Sequence, residues 1–197
     1  MFQQRMRAVL VSAALAATLL TPLTAHAASL SIGDGTGDTW REVIDKGKVT
    51  GFEPAGSAPN SDIVAVKVKH TARRVTVRTT FVDIANNAEG VVTQTRIKTN
   101  EGRRFRVFVA KDGDDSGAES YLYKRRCGGV HHKISWSRNT VKVSIPRSCL
   151  SSPKWIKVAS GGGNYWERGD ASRASYRDQV GTTGATSPGM SGKIRRG

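Results

Sequence analysis

Three carboxylates near the start of the chain have the chemistry to bind a hard cation. Asp34 and Asp38 lie in the segment GDGTGD, and Asp62 precedes a run of alternating valines. Carboxylate and loop carbonyl oxygens are the ligands that Ca²⁺ prefers in proteins. If the N-terminal segment packs beside the first predicted hairpin, Asp34, Asp38 and Asp62 form a Ca²⁺ site. Polar turn residues without a metal are an equally good interpretation of the same pattern.

A second acidic segment, residues 112–117 (DGDDSG), resembles the first half of an EF-hand loop. Its twelfth position is Tyr123, where a bidentate glutamate is needed. No helical pattern flanks it, and Asp and Gly are common turn residues. A hairpin turn is therefore favoured over a metal site here.

Histidine chemistry gives little support for catalysis. His131 and His132 are adjacent in a predicted strand, so their side chains must point to opposite faces. The sequence contains neither a G-x-S-x-G nor an H-E-x-x-H motif. We expect a non-catalytic protein. An extracellular hydrolase using carboxylates from several loops remains an alternative.

Residues 1–27 have the pattern of a secretory signal peptide. Arg5 and Arg7 precede the apolar residues 8–20, and Ala25-His26-Ala27 matches a small-x-small cleavage site. The apolar stretch is shorter than the roughly 20 residues of a membrane span, and no later segment is apolar enough to span. We expect a secreted protein without a transmembrane anchor.

The chain contains two cysteines, Cys127 and Cys149. In an oxidising compartment such a pair normally forms a disulfide. Their spacing does not fit a C-x-x-C redox or metal motif. We predict a structural disulfide that contributes roughly 3 kcal/mol by restricting the unfolded chain.

The charge balance favours anionic partners. The sequence has 31 Lys and Arg against 16 Asp and Glu, a formal net charge of +15. Outside the cell, such a surface attracts teichoic-acid-like polymers, acidic polysaccharides, anionic lipids or released nucleic acid, whereas secretion argues against intracellular nucleic acid. Lys67, Lys69 and Arg78 share the solvent face of a predicted hairpin and are candidate polyanion ligands. A solvated face that serves solubility alone explains them as well.

The apolar residues repeat with a period of two, which is typical of half-buried strands. Strands are predicted over the following ranges: 29–32, 64–68, 75–81, 91–99, 104–110, 120–125, 130–136, 140–145 and 154–159. Eight or nine short strands favour an all-β fold, an antiparallel β-sandwich of jelly-roll or immunoglobulin-like size. Residues 39–46 fit a short helix with a Thr39/Glu42 capping box, although a strand is an alternative.

The domain organisation follows from composition. Residues 28–160 form the predicted β-sandwich domain, because the alternating pattern ends near residue 160. Residues 161–197 are rich in glycine and carry six basic residues against three acidic ones. We expect a mobile basic tail there.

Three segments resemble those of small secreted actinobacterial proteins, and the resemblance covers nearly all of residues 28–166. They are residues 33–40 (GDGTGDTW), residues 61–81 (SDIVAVKVKHTARRVTVRTTF) and residues 145–155 (IPRSCLSSPKW). Those proteins are similar to the β-sandwiches grouped with DOMON domains and carbohydrate-binding module family 9. The resemblance implies a β-sandwich and a carbohydrate-binding-like role, and no haem-ligand or tryptophan-sandwich pattern maps onto residues of this chain.

Aromatic side chains are the other candidate ligand-binding groups. Trp and Tyr rings bury apolar sugar faces while their polar edges donate hydrogen bonds. Trp136 shares a predicted strand face with apolar residues and is expected in the core, whereas Tyr121 and Tyr123 share a face opposite Leu122. The leading hypothesis is a secreted binding protein for anionic or carbohydrate cell-wall polymer. A module that binds another secreted protein is the alternative.

Overall fold

The computed structural model describes residues 28–46, 48–86, 90–111, 117–164, 166–167, 173–174, 176–181 and 189–197. Strands dominate, and the described part of the chain has two short 3-10 turns but no α-helix. In chain order the strands are β1 (Ala28–Gly33), β2 (Thr39–Asp45), β3 (Lys48–Gly56), β4 (Ile63–His70), β5 (Arg74–Phe81), β6 (Val91–Thr99), β7 (Arg104–Lys111), β8 (Glu119–Leu122), β9 (His131–Ser135), β10 (Thr140–Pro146), β11 (Trp155–Gly163), β12 (Trp166–Glu167), β13 (Arg173–Ala174), β14 (Tyr176–Gln179) and β15 (Ile194–Arg195).

Two antiparallel sheets pack into a β-sandwich, which confirms the predicted fold class. The five-stranded sheet has the order β1-β4-β5-β10-β9, and the eight-stranded sheet has the order β3-β2-β14-β11-β6-β7-β8. The eighth strand of that sheet, β15, lies off this path and pairs with β11, and β12 and β13 form a separate two-stranded sheet. The predicted N-terminal edge strand is present, since β1 pairs only with β4 at the end of its sheet.

The core lies between the sheets and is built from alternate strand residues. Val66 and Val68 of β4 and Val75 and Val77 of β5 are almost completely buried. Ile97, Ile156 and Val158 meet them from the eight-stranded sheet. Trp136 packs against this cluster, as expected. The solvent-facing residues between these positions are polar or basic, so each sheet presents one wet face.

Residues 39–45 form strand β2, so the helix predicted there is wrong and the strand alternative is correct. The hydroxyl of Thr39 donates to the carbonyl oxygen of Gly56 on β3, which leaves it unavailable to cap a helix. β3 was not predicted. It contains Pro54, which cannot donate to a sheet, and it is tolerated because β3 is an edge strand.

The eight-stranded sheet extends beyond residue 160, where the sequence suggested that the folded domain ends. β11 continues to Gly163, and β14 pairs with residues 161–163. A Cβ on Gly161 would lie 2.8 Å from the carbonyl oxygen of Asp178, so glycine permits this close pairing. The glycine-rich segment is therefore sheet in part. Residues 165, 168–172, 175 and 182–188 of the predicted mobile tail lie outside the described ranges.

The predicted disulfide is confirmed. Cys127 and Cys149 are bonded, with their Cα atoms 5.9 Å apart. The bond joins the segment before β9 to the 3-10 turn Arg147–Leu150 that follows β10. The predicted signal peptide and residues 112–116 of the second acidic segment lie outside the described residues. Within the described ranges, no helix has the length and apolarity needed to cross a membrane.

Candidate functional site

Four carboxylates converge at one end of the sandwich, between the two sheets. Asp34 and Asp38 lie in the loop between β1 and β2, Asp62 directly precedes β4, and Asp178 is in β14. One carboxylate oxygen each from Asp38, Asp62 and Asp178 lies within 4.8 Å of the other two. These four residues are called the acidic cluster below. The structure therefore brings the predicted Asp34, Asp38 and Asp62 into one neighbourhood.

Asp178 is the member that the sequence did not reveal. It follows the glycine-rich segment that was predicted as a tail, and no apolar alternation marks its short strand. It reaches the cluster because β14 pairs with β11 and turns Asp178 to the same side as Gly162, toward the core. The only sequence signal was a lone carboxylate after a run of glycines.

Backbone amides hold the acidic cluster in place. Gly37 donates to Oδ2 of Asp62 at 2.8 Å, and Ile63 donates to Oδ2 of Asp178 at 2.7 Å. The amide of Gly181 donates to Oδ1 of Asp34 at 3.0 Å. These bonds link segments that are far apart in the sequence. The carboxylates are consequently fixed by the fold rather than by solvent.

Three oxygens of the acidic cluster are buried without a hydrogen-bond partner among the described residues: Oδ2 of Asp34, Oδ1 of Asp38 and Oδ1 of Asp62. Asp62 has no exposed surface at all. No Lys or Arg in the described part of the chain forms an ion pair with any of the four carboxylates. A buried oxygen in this condition is costly unless a cation or proton satisfies it.

The proton affinities of the cluster reflect this crowding. Burial raises the pKa of Asp178 from 3.8 to about 7, against the opposing hydrogen bond from Ile63. The charges of Asp34 and Asp38 raise it further. Burial also raises the pKa of Asp34, and Asp38 and Asp62 add to the increase. Placing several negative charges together is therefore unfavourable in the absence of a counter-charge.

A cavity of about 630 Å³ on the outer side of the eight-stranded sheet gathers positive charge. Arg96 and Lys98 of β6 lie directly opposite Arg106 and Arg104 of β7. The turn after β8 closes the cavity with Tyr123, Lys124 and Arg125. We call this the basic cavity; its cationic residues are Arg96, Lys98, Arg104, Arg106, Lys124 and Arg125. No Asp or Glu occurs among the described residues that line it.

Aromatic rings lie beside the cations of the basic cavity. The guanidinium of Arg106 lies 5.7 Å from the ring centroid of Tyr123, and the ammonium of Lys124 lies 5.3 Å from it. Phe108 stacks on Tyr121 at 5.4 Å and meets Tyr123 edge to face. Tyr121 and Tyr123 are 40% and 46% exposed, while Leu122 between them is buried. The tyrosines therefore present a ring surface beside the cations.

A smaller groove of about 300 Å³ lies beside the basic cavity, and Arg96 lines both. The residues that line it include Gln94 and Phe108 of β6 and β7, and Arg177 and Asp178 of β14. Asp178 therefore belongs to the acidic cluster and also borders this groove. Ala159, Gly161 and Gly163 of β11 have small or no side chains, which leaves this space open. The two depressions together form an elongated trough across the sheet.

The opposite side of the sandwich carries a flat row of cations. The pairing of the five-stranded sheet places Lys67 opposite Arg78, Arg78 opposite Lys142, and Lys142 opposite Lys133. These four residues are the cationic row. No Asp or Glu occurs in any of the five strands of this sheet. The predicted Lys67 and Arg78 are thus direct neighbours, and Lys69 is exposed two residues along β4 on the same face.

The histidines are separate from these surfaces. His131 is exposed and His132 points the other way, with Nδ1 3.1 Å from the hydroxyl of Ser120. His70 is completely buried at the end of β4, where its Nδ1 lies 3.1 Å from the carbonyl oxygen of Ile194. The described structure therefore does not bring two histidines together.

Comparison with known proteins leaves the family assignment open. No family model matches the chain, and a search of curated proteins finds no matching relative. The resemblance to DOMON domains and carbohydrate-binding module family 9 stays a prediction.

Proposed function

We propose that this chain is a secreted, non-catalytic binding protein for an anionic cell-wall polymer, which it holds in the trough of the eight-stranded sheet. The observation that carries the proposal is the basic cavity, in which six cations surround about 630 Å³ of space without a lining carboxylate among the described residues. Like charges placed opposite one another in a sheet are destabilising. A polyanion removes that repulsion when it binds.

The shape of the site supports a polymer more than a small ion. The basic cavity and the adjoining groove share Arg96, so a chain molecule can occupy both. Arg side chains bind phosphate and carboxylate groups through paired N–H donors. The exposed rings of Tyr121 and Tyr123 add surfaces against which sugar or polyol carbons pack. Charge and ring contacts together suit a phosphate-bearing or uronic-acid polymer.

The cationic row supports the same class of ligand in a different way. Its residues lie side by side on one face of the five-stranded sheet, and none of them lines the basic cavity or the adjoining groove. Such a surface raises the local concentration of any polyanion and accelerates encounter. The row therefore assists capture, while the basic cavity provides the contacts that hold the polymer.

A retention experiment tests the proposal. Purified protein is applied to isolated cell walls, immobilised polyglycerol phosphate, polygalacturonate and uncharged dextran, each at about 0.05 M and about 0.5 M NaCl. We expect retention on the walls and on at least one anionic polymer at low salt, strong loss at high salt, and none on dextran. Equal retention on dextran, or no retention on any matrix, would contradict the proposal.

A protein partner is the alternative function, and the same experiment separates it. Retention on cell walls that resists high salt and disappears after the walls are stripped of protein indicates recognition of another secreted protein. That outcome would also direct attention away from the basic cavity, because interactions between exposed charges weaken as salt increases.

A further inference from the structure

We propose that the acidic cluster is a Ca²⁺ site that ties the C-terminal strand β14 to the N-terminal half of the sandwich. The site takes carboxylate oxygens from Asp34, Asp38, Asp62 and Asp178. None of these four residues lines the basic cavity, although Asp178 borders the adjoining groove.

The geometry of the unpartnered oxygens is the first support. Asp62 is completely buried, and its Oδ1 has no hydrogen-bond partner among the described residues. It belongs to the set of three carboxylates whose oxygens lie within 4.8 Å of one another. Oxygens that share a Ca²⁺ at 2.3–2.6 Å are separated by at most about 5 Å. The observed spacing therefore fits a common ion without rearrangement of the backbone.

Preorganisation is the second support. Backbone amides from Gly37, Ile63 and Gly181 bind one oxygen each of Asp62, Asp178 and Asp34, and the amide of Gln179 binds the other oxygen of Asp178. In Asp62 and Asp34 the other oxygen is the unpartnered one. Amides that bind the outer oxygen of a carboxylate orient the inner oxygen, as partners of metal ligands commonly do. The fold thus holds Asp62 and Asp34 so that each keeps one buried, unsatisfied oxygen in the acidic cluster.

The ligand set favours Ca²⁺ over Mg²⁺. Mg²⁺ takes oxygens at 2.0–2.1 Å in strict octahedral geometry and keeps several waters. Three carboxylates whose oxygens lie within 4.8 Å of one another, with Asp34 beside them, instead suit a larger ion that accepts six to eight oxygens.

The position of the site gives it a structural role. Asp178 and Asp62 come from different sheets, and Asp34 bonds the amide of Gly181, 147 residues away in the sequence. An ion held by all of these segments closes one end of the sandwich. It also fastens β14, whose sheet partners among the described residues are β2 and residues 161–163 of β11.

Calorimetric titration of metal-free protein with Ca²⁺ tests the proposal directly. The full-length secreted chain is stripped with chelator, and its thermal midpoint is recorded with Ca²⁺, with Mg²⁺ and with neither. We expect one Ca²⁺ per chain, an increase of the midpoint by about 5 °C or more, and a smaller effect of Mg²⁺. Absence of both binding heat and a midpoint increase in the unmodified protein would overturn the proposal.

Variants locate the ion. Asp62→Asn should weaken Ca²⁺ binding at least tenfold, whereas Asp45→Asn, at the exposed end of β2, should leave it unchanged. If Asp62→Asn does not fold, Asp38→Asn replaces it, because Asp38 is only half buried. Equal Ca²⁺ affinity in Asp38→Asn and the unmodified protein would contradict the assignment. Hydrogen exchange of the Ile63 and Gly181 amides should slow with Ca²⁺, and unchanged exchange would contradict the fastening role.

Discussion

The acidic cluster and the basic cavity both concentrate like charges, but they differ in burial. In the acidic cluster, Asp62 and Asp178 expose 0% and 1% of their surface, and backbone amides fix their positions. In the basic cavity, the side chains of Arg104, Arg106 and Lys124 are exposed. Water and salt screen the exposed charges of the basic cavity but not the buried charges of the acidic cluster.

This difference separates two kinds of charged site. Buried like charges need a proton or a counter-ion before the fold reaches its full stability. Exposed like charges are solvated, so a ligand is optional and its affinity depends on salt. The two proposals accordingly give the acidic cluster a role in stability and the basic cavity a role in ligand binding. The predictions below test whether the two sites are separable.

The largest expected effect is at the acidic cluster, where Ca²⁺ should reverse which of two proteins, the unmodified protein or Asp38→Asn, is the more stable. Without Ca²⁺, Asp38→Asn should be more stable than the unmodified protein, because it removes one of several repelling charges. With Ca²⁺ at about 100 times its dissociation constant, the unmodified protein gains about 2.7 kcal/mol and should become the more stable of the two. Urea unfolding in chelator and in Ca²⁺ measures both orders. The same order in both conditions would show that the cluster is not a metal site.

A matched pair of double variants tests the basic cavity. Arg104→Glu with Arg106→Glu reverses two charges in the cavity, and Lys67→Glu with Arg78→Glu makes the same change in the cationic row. Both pairs alter the net charge equally. We expect the cavity pair to weaken binding to polyglycerol phosphate more than tenfold, about 1.4 kcal/mol, and the row pair to weaken it less.

Fluorescence titration at low salt measures the two affinities. Equal losses in the two pairs would mean that net charge alone attracts the polymer. Neither pair should change the increase of the thermal midpoint with Ca²⁺, because both lie away from the acidic cluster.

A smaller effect is expected at the ring surface of the basic cavity. Tyr123→Ala removes the ring that Arg106 and Lys124 approach and should weaken polymer binding by about 0.5–1 kcal/mol. Tyr123→Phe keeps the ring and should bind almost normally. The same titration checks both variants. If Tyr123→Phe lost as much affinity as Tyr123→Ala, the hydroxyl rather than the ring would be the contact.

The smallest effect concerns a buried group that belongs to neither site. Burial lowers the pKa of His70 below 6.5, and the charges of Arg147 and Arg196 lower it further, against the carbonyl oxygen of Ile194. As pH falls, His70 therefore becomes protonated in the unfolded chain before it does in the folded protein. The contribution of neutral His70 is complete above pH 6.5 and declines below it.

Urea unfolding of the unmodified protein and of His70→Gln at about pH 7.5 and pH 5 measures the decline as the difference between the two proteins, because Asp178, whose pKa is about 7, titrates in the same range with the opposite sign. From about pH 7.5 to pH 5 the unmodified protein should lose unfolding free energy relative to His70→Gln. The same dependence on pH in both proteins would assign the effect to other groups.

The sequence predicted what depends on local pattern. Alternating valines in β4 and β5 indicated the strands, and the solvent positions between them indicated that Lys67 and Arg78 share a face. Asp34, Asp38 and Asp62 were found because they flank predicted strands and turns. Each of these features involves residues close together in the chain or in one hairpin.

Features that depend on distant pairing were not predicted. Asp178 joins the acidic cluster because β14 pairs with glycines of β11, and glycines in a sequence are more typical of loops. β3 contains Gly51 and Pro54, which obscure its alternation and are tolerated at a sheet edge. The basic cavity requires the turn after β8 to place Lys124 and Arg125 beside β6 and β7, which charge counting does not reveal.

Backbone NMR of the isotopically labelled protein during titration with polyglycerol phosphate tests the central claim most directly. The account predicts that amide shifts concentrate along β6, β7 and the turn at residues 123–125, which form the basic cavity. Shifts concentrated on the cationic row of β4, β5, β9 and β10, or spread evenly over both faces, would contradict it.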